Sequence, residues 1–239
     1  METNPRILVI VPCFNEEKAI AGVIAEINQV RDQHQLRLDA LAVNDCSTDA
    51  TAAVMQTLNC LYLDLPVNLG IGGAMQAGYR YAFRKGYDVA VQMDGDGQHP
   101  ASELMKVLQP ILDKRADVVI GSRFLENVGF QSSVARRLGI RYFRWLNRLL
   151  IHQTIHDSTS GFRAFNRRTI ALVNRYYPDE YPEPEAIVLF GLNQLCIAEV
   201  PVCMRERQGG TSSITFARSL YYMLKVTMGT LFVYIRLKK

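Results

Sequence analysis

Two aspartates, Asp94 and Asp96 in VQMDGDGQHP (Val91–Pro100), follow an apolar run, with glycines after each and Gln98 two residues on. Hard oxygen donors at this spacing suit Mg²⁺ or Mn²⁺ holding a diphosphate, because such ions take one or two carboxylates and complete their shell with phosphate oxygens. A polar turn is the plain alternative, since Asp-Gly is a common turn dipeptide. VNDCSTDAT (Val43–Thr51) ends another apolar run. There Asp45 is placed to accept hydrogen bonds from a nucleobase or ribose, whereas Asp49 reads as a cap for the helix that follows. NLGIGGAMQAGY (Asn68–Tyr79) starts a helix with glycines. These either let the backbone approach a ligand or only make a tight turn. The segment lacks G-x-G-x-x-G spacing, and no G-x-x-x-x-G-K-[ST] occurs in the chain.

The elements that must position these residues alternate. Strands are expected at Arg6–Val11, Leu38–Asn44, Cys60–Leu65, Asp88–Met93 and Asp117–Ile120. Helices are expected at about Glu16–Asp32, Asp49–Leu58, Gly72–Lys85 and Ala101–Lys114. The pattern predicts an α/β fold with a mostly parallel, Rossmann-like sheet, right-handed crossovers and ligands beyond the carboxyl ends of the strands. The candidate residues fall at those ends.

The 239 residues are 49% hydrophobic and 21% charged, which excludes global disorder and fibrous repeats. Five cysteines without a C-x-x-C pair point to reduced thiols in a cytosolic compartment, not a disulfide framework. The apolar run Ile7–Phe14 is short and interrupted by Pro12, so it reads as a strand and not a signal peptide. The net charge of +4 is unevenly placed: nine Arg lie between Gln131 and Arg175 against Asp157 alone, and seven basic residues between Pro201 and Lys239 against Glu206 alone. Such asymmetry suits an anionic partner. Ser133–His152 is expected to be a helix with Arg137, Arg141, Arg144 and Arg148 in one stripe beside Leu138, Tyr142, Trp145 and Leu149. That pattern fits either a membrane surface or a core-packed helix with solvated Arg. Arg218–Leu237 is a second helical candidate. Its longest uncharged stretch, Val226–Ile235, is well short of the ~20 residues that span a bilayer.

Taken in order, VPCFNEE (Val11–Glu17), VNDCSTDAT, NLGIGGAMQAG, QMDGDGQHP and IGSRF (Ile120–Phe124) resemble the family 2 inverting glycosyltransferases of GT-A fold. DSTSGFRAFNRR (Asp157–Arg168) and VPVCMRERQGGTSSI (Val200–Ile214) are similar to the subgroup that transfers sugars to polyprenyl phosphate, which includes dolichol-phosphate mannose synthases and undecaprenyl-phosphate glycosyltransferases. The resemblance implies a donor site lined by Pro12, Phe14, Asn15, Glu16, Asp45, Gly72 and Gly95, with Asp94, Asp96 and Gln98 on Mg²⁺ or Mn²⁺, and Arg123 and Arg207 on the diphosphate. One departure stands out: Asn44 occupies a position where many relatives carry a first Asp.

For the catalytic base, Asp157 and Glu185 are weighed equally and Glu183 behind them. The structural alternatives are an ion pair from Asp157 to Arg163 and a proline-spaced surface turn for the glutamates. The expected activity is metal-dependent transfer from a nucleotide-diphosphate sugar, UDP-glucose or UDP-N-acetylglucosamine, to a polyprenyl phosphate. It would occur at the cytoplasmic membrane face, with the protein peripheral, for cell-surface polysaccharide or glycan synthesis. The expected organisation is a catalytic domain over residues 1–215 and a C-terminal amphipathic helix over 216–239 that meets the membrane or a small integral membrane partner; homo-oligomerisation is also compatible. Extension of a glycan, or a non-catalytic nucleotide-sugar-binding subunit, are the alternatives. No nucleic-acid-binding signature is present.

Overall fold

The computed structural model describes residues 4–126, 134–178, 182–205 and 216–238, with the side chains of 134–138 and 216–222 outside the description. Its strands are β1 (Ile7–Cys13), β2 (Leu38–Asn44), β3 (Leu61–Asp64), β4 (Val89–Gln92), β5 (Val118–Ser122), β6 (Arg163–Asn166) and β7 (Ile197–Pro201). Its helices are α1 (Ile20–Gln33), α2 (Thr51–Thr57), α3 (Gly70–Lys85), α4 (Leu104–Leu112), α5 (Val134–Ile151), α6 (Arg167–Arg175), α7 (Pro182–Leu192) and α8 (Phe216–Leu237). A turn of 3-10 helix, Ala101–Glu103, splits the single helix expected over 101–114.

One seven-stranded sheet runs in the order β3-β2-β1-β4-β6-β5-β7. β1 is apolar throughout and buried at every position, as a central parallel strand covered on both faces must be. The pleat divides its residues: Leu8 and Ile10 join Met75, Tyr79, Ile187 and Phe190 on one face, while Ile7, Val9 and Val11 join Ile20, Ile24, Leu104 and Val107 on the other. Helices α3, α6, α7 and parts of α5 and α8 therefore cover one side, and α1 and α4 the other.

The five expected strands are present, along with two that sequence did not show. β6 inserts antiparallel between β4 and β5, pairing Gln92 with Arg163 and Ile120 with Arg163. Its reversed direction carries residues 157–162 to the carboxyl ends of β4 and β5, beside the aspartate motif. The surface turn weighed as the plain alternative for Glu183 and Glu185 is not formed: both lie in the first turn of α7, with Pro182 as its first residue, where its missing N–H and fixed φ suit a helix. Ala186 to Phe190 are buried on every side of that helix, so no amphipathic period marked it.

Candidate active site

The ends of β1 and β2 are tied together by backbone and short polar side chains. Cys13 stands opposite Asn44, and the Asp45 N–H donates to the Cys13 carbonyl at 2.8 Å. Asn15 holds a positive φ of 59°, which asparagine tolerates, and its Oδ1 accepts from the Thr48 N–H at 2.8 Å. The Glu16 N–H donates to Thr51 Oγ1 at 2.8 Å. Pro12 is buried below this junction and Phe14 stands exposed above it. Asp49 accepts from the Thr51 N–H and hydroxyl and from the Glu17 N–H, so it satisfies donors at the start of α2 as expected, one position before the Ala50 cap. Burial opposes its ionisation, but these hydrogen bonds outweigh it and hold the carboxyl below the usual range.

Asp45 is buried. Its Oδ1 accepts the Leu69 N–H at 2.7 Å, and its carbonyl accepts Asn68 Nδ2. It thus anchors the glycine-rich start of α3, where Gly72 is buried in the first turn. Asn44 donates through Nδ2 to Asp64 Oδ1 at 2.6 Å and accepts the Ser47 N–H. The amide is the physical reason for the departure at this position, since a second carboxylate would face Asp64.

Beyond β4 the motif packs tightly on β1: a Cβ on Gly95 would lie 2.9 Å from the Pro12 carbonyl, so only glycine fits without movement. Asp94 keeps about a third of its side chain exposed, with 34% accessible, while Asp96 is buried and accepts the Gln98 N–H at 3.0 Å. The Gln98 carbonyl accepts the Arg205 N–H at 2.9 Å, and Arg205 pairs with Glu26 of α1. Two carboxylates and an amide are hard donors of the kind Mg²⁺ or Mn²⁺ takes, with positions left for a diphosphate. Among the described residues no group of three or more His, Cys, Asp or Glu lies together so as to hold a metal ion, so any ion here would need Gln98 and the donor's own oxygens. His99, to which the sequence analysis assigns no role, accepts the Asp94 N–H on Nδ1 at 3.2 Å and stacks on Phe162 at 5.1 Å. The signal that could have found it is its position directly after Gln98 in the aspartate motif.

The three acids considered as bases go to different places. Asp157 is fully buried and clasped by Arg123, with Arg123 Nε on Oδ2 and Nη2 on Oδ1, both at 2.7 Å. The structural alternative weighed for Asp157, an ion pair to Arg163, is not formed. Arg163 instead donates to the carbonyls of Ser160, Ser158 and Glu183, because β6 turns its side chain beneath the 158–161 segment. Glu199 of β7 secures the other side by accepting the N–H groups of His156 and Asp157. Glu183 accepts Gln92 Nε2 at 3.2 Å. Burial raises its pKa, the Arg163 charge opposes the rise and Asp94 adds to it. Glu185 leaves the strand ends altogether: its carboxylate lies against Gly229 of α8, where any Cβ would collide with it. Arg207 lies outside the described residues, as does the side chain of Arg137.

On α5, Arg141, Arg148, Trp145 and Leu149 are exposed and Arg144 is half-buried. On α8, Leu224, Met228, Phe232 and Ile235 form an exposed apolar stripe. Tyr142 and Thr227 hydrogen-bond across the two helices at 3.0 Å. No helix of the described residues is long and apolar enough to cross a membrane.

The family model described as Glycosyl transferase family 2 matches residues 8–172. A polyprenol monophosphomannose synthase of Mycolicibacterium smegmatis is 30% identical over 231 residues, covering 92% of this chain and 85% of that protein. A UDP-N-acetylglucosamine–dolichyl-phosphate N-acetylglucosaminyltransferase of Methanococcus voltae is 28% identical over 247 residues, covering 93% and 96%. Mannosyl-3-phosphoglycerate synthase from Rubrobacter xylanophilus matches in structure with a TM-score of 0.74 at 18% identity, covering 99% of this chain and 76% of that one. Glucosyl-3-phosphoglycerate synthase from Mycobacterium tuberculosis, in complex with Mn²⁺, UDP and glucosyl-3-phosphoglycerate, matches with a TM-score of 0.73 at 18% identity, covering 98% and 81%. The mixed sheet is the GT-A fold of these enzymes.

Proposed function

Because the chain belongs to glycosyl transferase family 2, a family of glycosyltransferases, we propose that it moves a sugar from a nucleotide-diphosphate sugar to a polyprenyl phosphate. Relatives named for transfer of mannose and of N-acetylglucosamine to lipid phosphates support the acceptor class. UDP-glucose and UDP-N-acetylglucosamine are the donors we place first.

In this reading Pro12, Phe14, Asn15, Glu16 and Asp45 line the nucleoside side, with Gly72 and Gly95 giving backbone room. Asp94, Asp96 and Gln98 hold Mg²⁺ or Mn²⁺. When bound, the ion supplies charge that stabilises the departing diphosphate. The Mn²⁺–UDP complex of a fold neighbour is compatible with this assignment. Arg123 faces the diphosphate in a direction set by Asp157, and Arg207 would add a second guanidinium. An oxygen of the acceptor phosphate attacks the anomeric carbon from the side opposite the diphosphate. The new C–O bond forms as the old one breaks, its electron pair leaves with the nucleoside diphosphate, and the configuration inverts. A phosphate monoester is largely ionised at pH 7 (its second pKa is about 6), so no proton must be removed. Asp157 then serves to orient Arg123, and Glu185 to seat α8, in place of base catalysis by either.

A lipid acceptor brings the site to a bilayer. We assign the exposed apolar stripe of α8, together with the exposed Arg141, Trp145 and Arg148 of α5, to peripheral docking on the cytoplasmic leaflet.

The observation that carries the proposal is the placement of Asp94 and Asp96 at the end of β4, in a chain whose relatives charge lipid phosphates. The test incubates the purified protein with Mn²⁺ and a panel of UDP- and GDP-sugars, offering polyprenyl phosphate or a glycan. A sugar-phosphate lipid as product supports the reading. Transfer to the glycan alone sinks it.

A further inference from the structure

We propose that Glu183 and Gln92 are positioning residues for Asp94, fixing the carboxylate that meets the metal and the donor diphosphate. The inference rests on the metal-dependent transfer proposed above.

Gln92 closes β4 two residues before Asp94 and is fully buried. Its Oε1 accepts from the hydroxyls of Tyr79 at 3.2 Å and Tyr177 at 3.3 Å, while Nε2 donates to Glu183 Oε1 at 3.2 Å. The carboxylate makes this orientation one-way, because a flipped amide would set its oxygen against Glu183. The other neighbour of the amide is the glycine of TSGFR: a Cβ on Gly161 would stand 3.2 Å from Gln92 Nε2 and 3.1 Å from Asp94 Oδ1. Gln92, Gly161 and Asp94 are therefore packed in a column with no room for a side chain between them.

Arg163 locks the column from beneath. Fully buried, it binds the carbonyls of Ser158, Ser160 and Glu183, so one guanidinium ties the Gly161 segment to the first turn of α7. Tyr79 and Tyr177 meet edge to face at 5.0 Å and brace the amide oxygen. A core that needed only stability would hold apolar side chains here, since buried polar groups are costly unless each is satisfied. This one is satisfied, and it borders Gly161 on the same side as the partly exposed Asp94 carboxylate. Without an acceptor at position 183 Gln92 Nε2 loses that partner and only the tyrosine hydroxyls hold the amide, so Asp94 loses its fixed floor.

The test measures Mn²⁺ binding to the full chain by calorimetry with UDP and, in parallel, with GDP, alongside turnover and thermal unfolding. Glu183→Gln retains an acceptor oxygen toward Gln92 and should rescue both affinity and turnover. Glu183→Ala should weaken Mn²⁺–nucleotide binding roughly 10–100-fold, the loss typical of groups that orient metal ligands. Tyr177→Phe keeps the ring but frees one side of the amide, and should shift affinity in the same direction by less. Unchanged affinity in Glu183→Ala overturns the proposal, and should that variant not fold, unchanged affinity in Tyr177→Phe does so. A Glu183→Gln protein that binds normally but loses turnover also overturns it, because Glu183 would then act on the reactants. If the wild-type protein binds neither nucleotide with Mn²⁺, the metal-dependent function falls as well.

Discussion

Arg123 and Asp157 meet edge to edge, with two hydrogen bonds of 2.7 Å and a third from the Arg123 N–H to the same carboxylate at 3.1 Å. Asp157 is fully buried and Thr159 shares the guanidinium, so the protein itself fixes the direction of the arginine. Asp157→Asn removes the charge and one edge of the fork. Breaking a buried pair by removing one partner costs on the order of 3–5 kcal/mol. The variant should therefore melt several degrees earlier and show a raised KM for the nucleotide sugar. Thermal unfolding with steady-state kinetics checks this, and a wild-type KM would show that Arg123 does not need its partner.

Asp96→Ala should reduce turnover by several orders of magnitude while circular dichroism and thermal unfolding stay near wild type. Asp96 is buried and accepts the Gln98 N–H within its own turn, so the backbone of the motif keeps most of its support without the carboxylate. Excess EDTA should abolish wild-type turnover and added Mn²⁺ restore it. Full activity in EDTA would remove the metal from the mechanism.

Glu185→Gln should leave turnover within about threefold of wild type, because its carboxylate lies on α8 and not at the strand ends. Gly229→Ala should be tolerated, with thermal unfolding near wild type, because its Cβ meets only the far end of the flexible Glu185 side chain, which can turn aside. Kinetics on Glu185→Gln and thermal unfolding of Gly229→Ala check the two. A dead Glu185→Gln enzyme would return this residue to the reaction.

Much of this site was readable from residue order. β1, β2 and β4 end where their apolar runs end, and turn residues follow at once, so Asn15, Asp45 and Asp94 fall together once the sheet is parallel. What escaped was everything brought in by β6 and α7. RAFN is four residues long with polar ends, too short for a period, and its antiparallel pairing is a long-range choice that no local pattern encodes. α7 is buried all round, so its polar first turn looked like a loop. The glutamates could thus be named but not separated: the two-residue step between Glu183 and Glu185 turns one toward Gln92 and the other toward α8.

Glu183 also predicts a pH dependence of stability. Burial raises its pKa above the ordinary 4.5, so between the unfolded and folded values the native state holds more protons than the unfolded chain. Stability contributed by this group is then present below the unfolded pKa and lost as pH rises through the folded one. Glu183→Gln abolishes that loss. Its stability relative to wild type should increase from pH 4 to pH 7 in denaturant titrations, and a constant difference would mean that Glu183 ionises as freely in the native state as in the unfolded one.

Docking on a lipid surface should have two separable parts. Arg141 and Arg148 are exposed on α5, and each basic residue near an anionic leaflet gains about 1 kcal/mol, weakened by salt. Replacing both with Ala should lower partition onto anionic vesicles roughly 30-fold at low ionic strength and by less at high salt. Phe232 and Ile235 of α8 are 63% and 67% exposed, so their contact with the bilayer would be apolar and insensitive to salt. Phe232→Ser with Ile235→Ser should weaken flotation equally at low and high salt, while leaving the fold intact because neither side chain enters the core. Flotation of wild type and both double variants with neutral and anionic liposomes gives the answer. If wild type fails to float with either, the exposed stripe belongs to another surface, and a protein partner in the membrane becomes the occupant to seek.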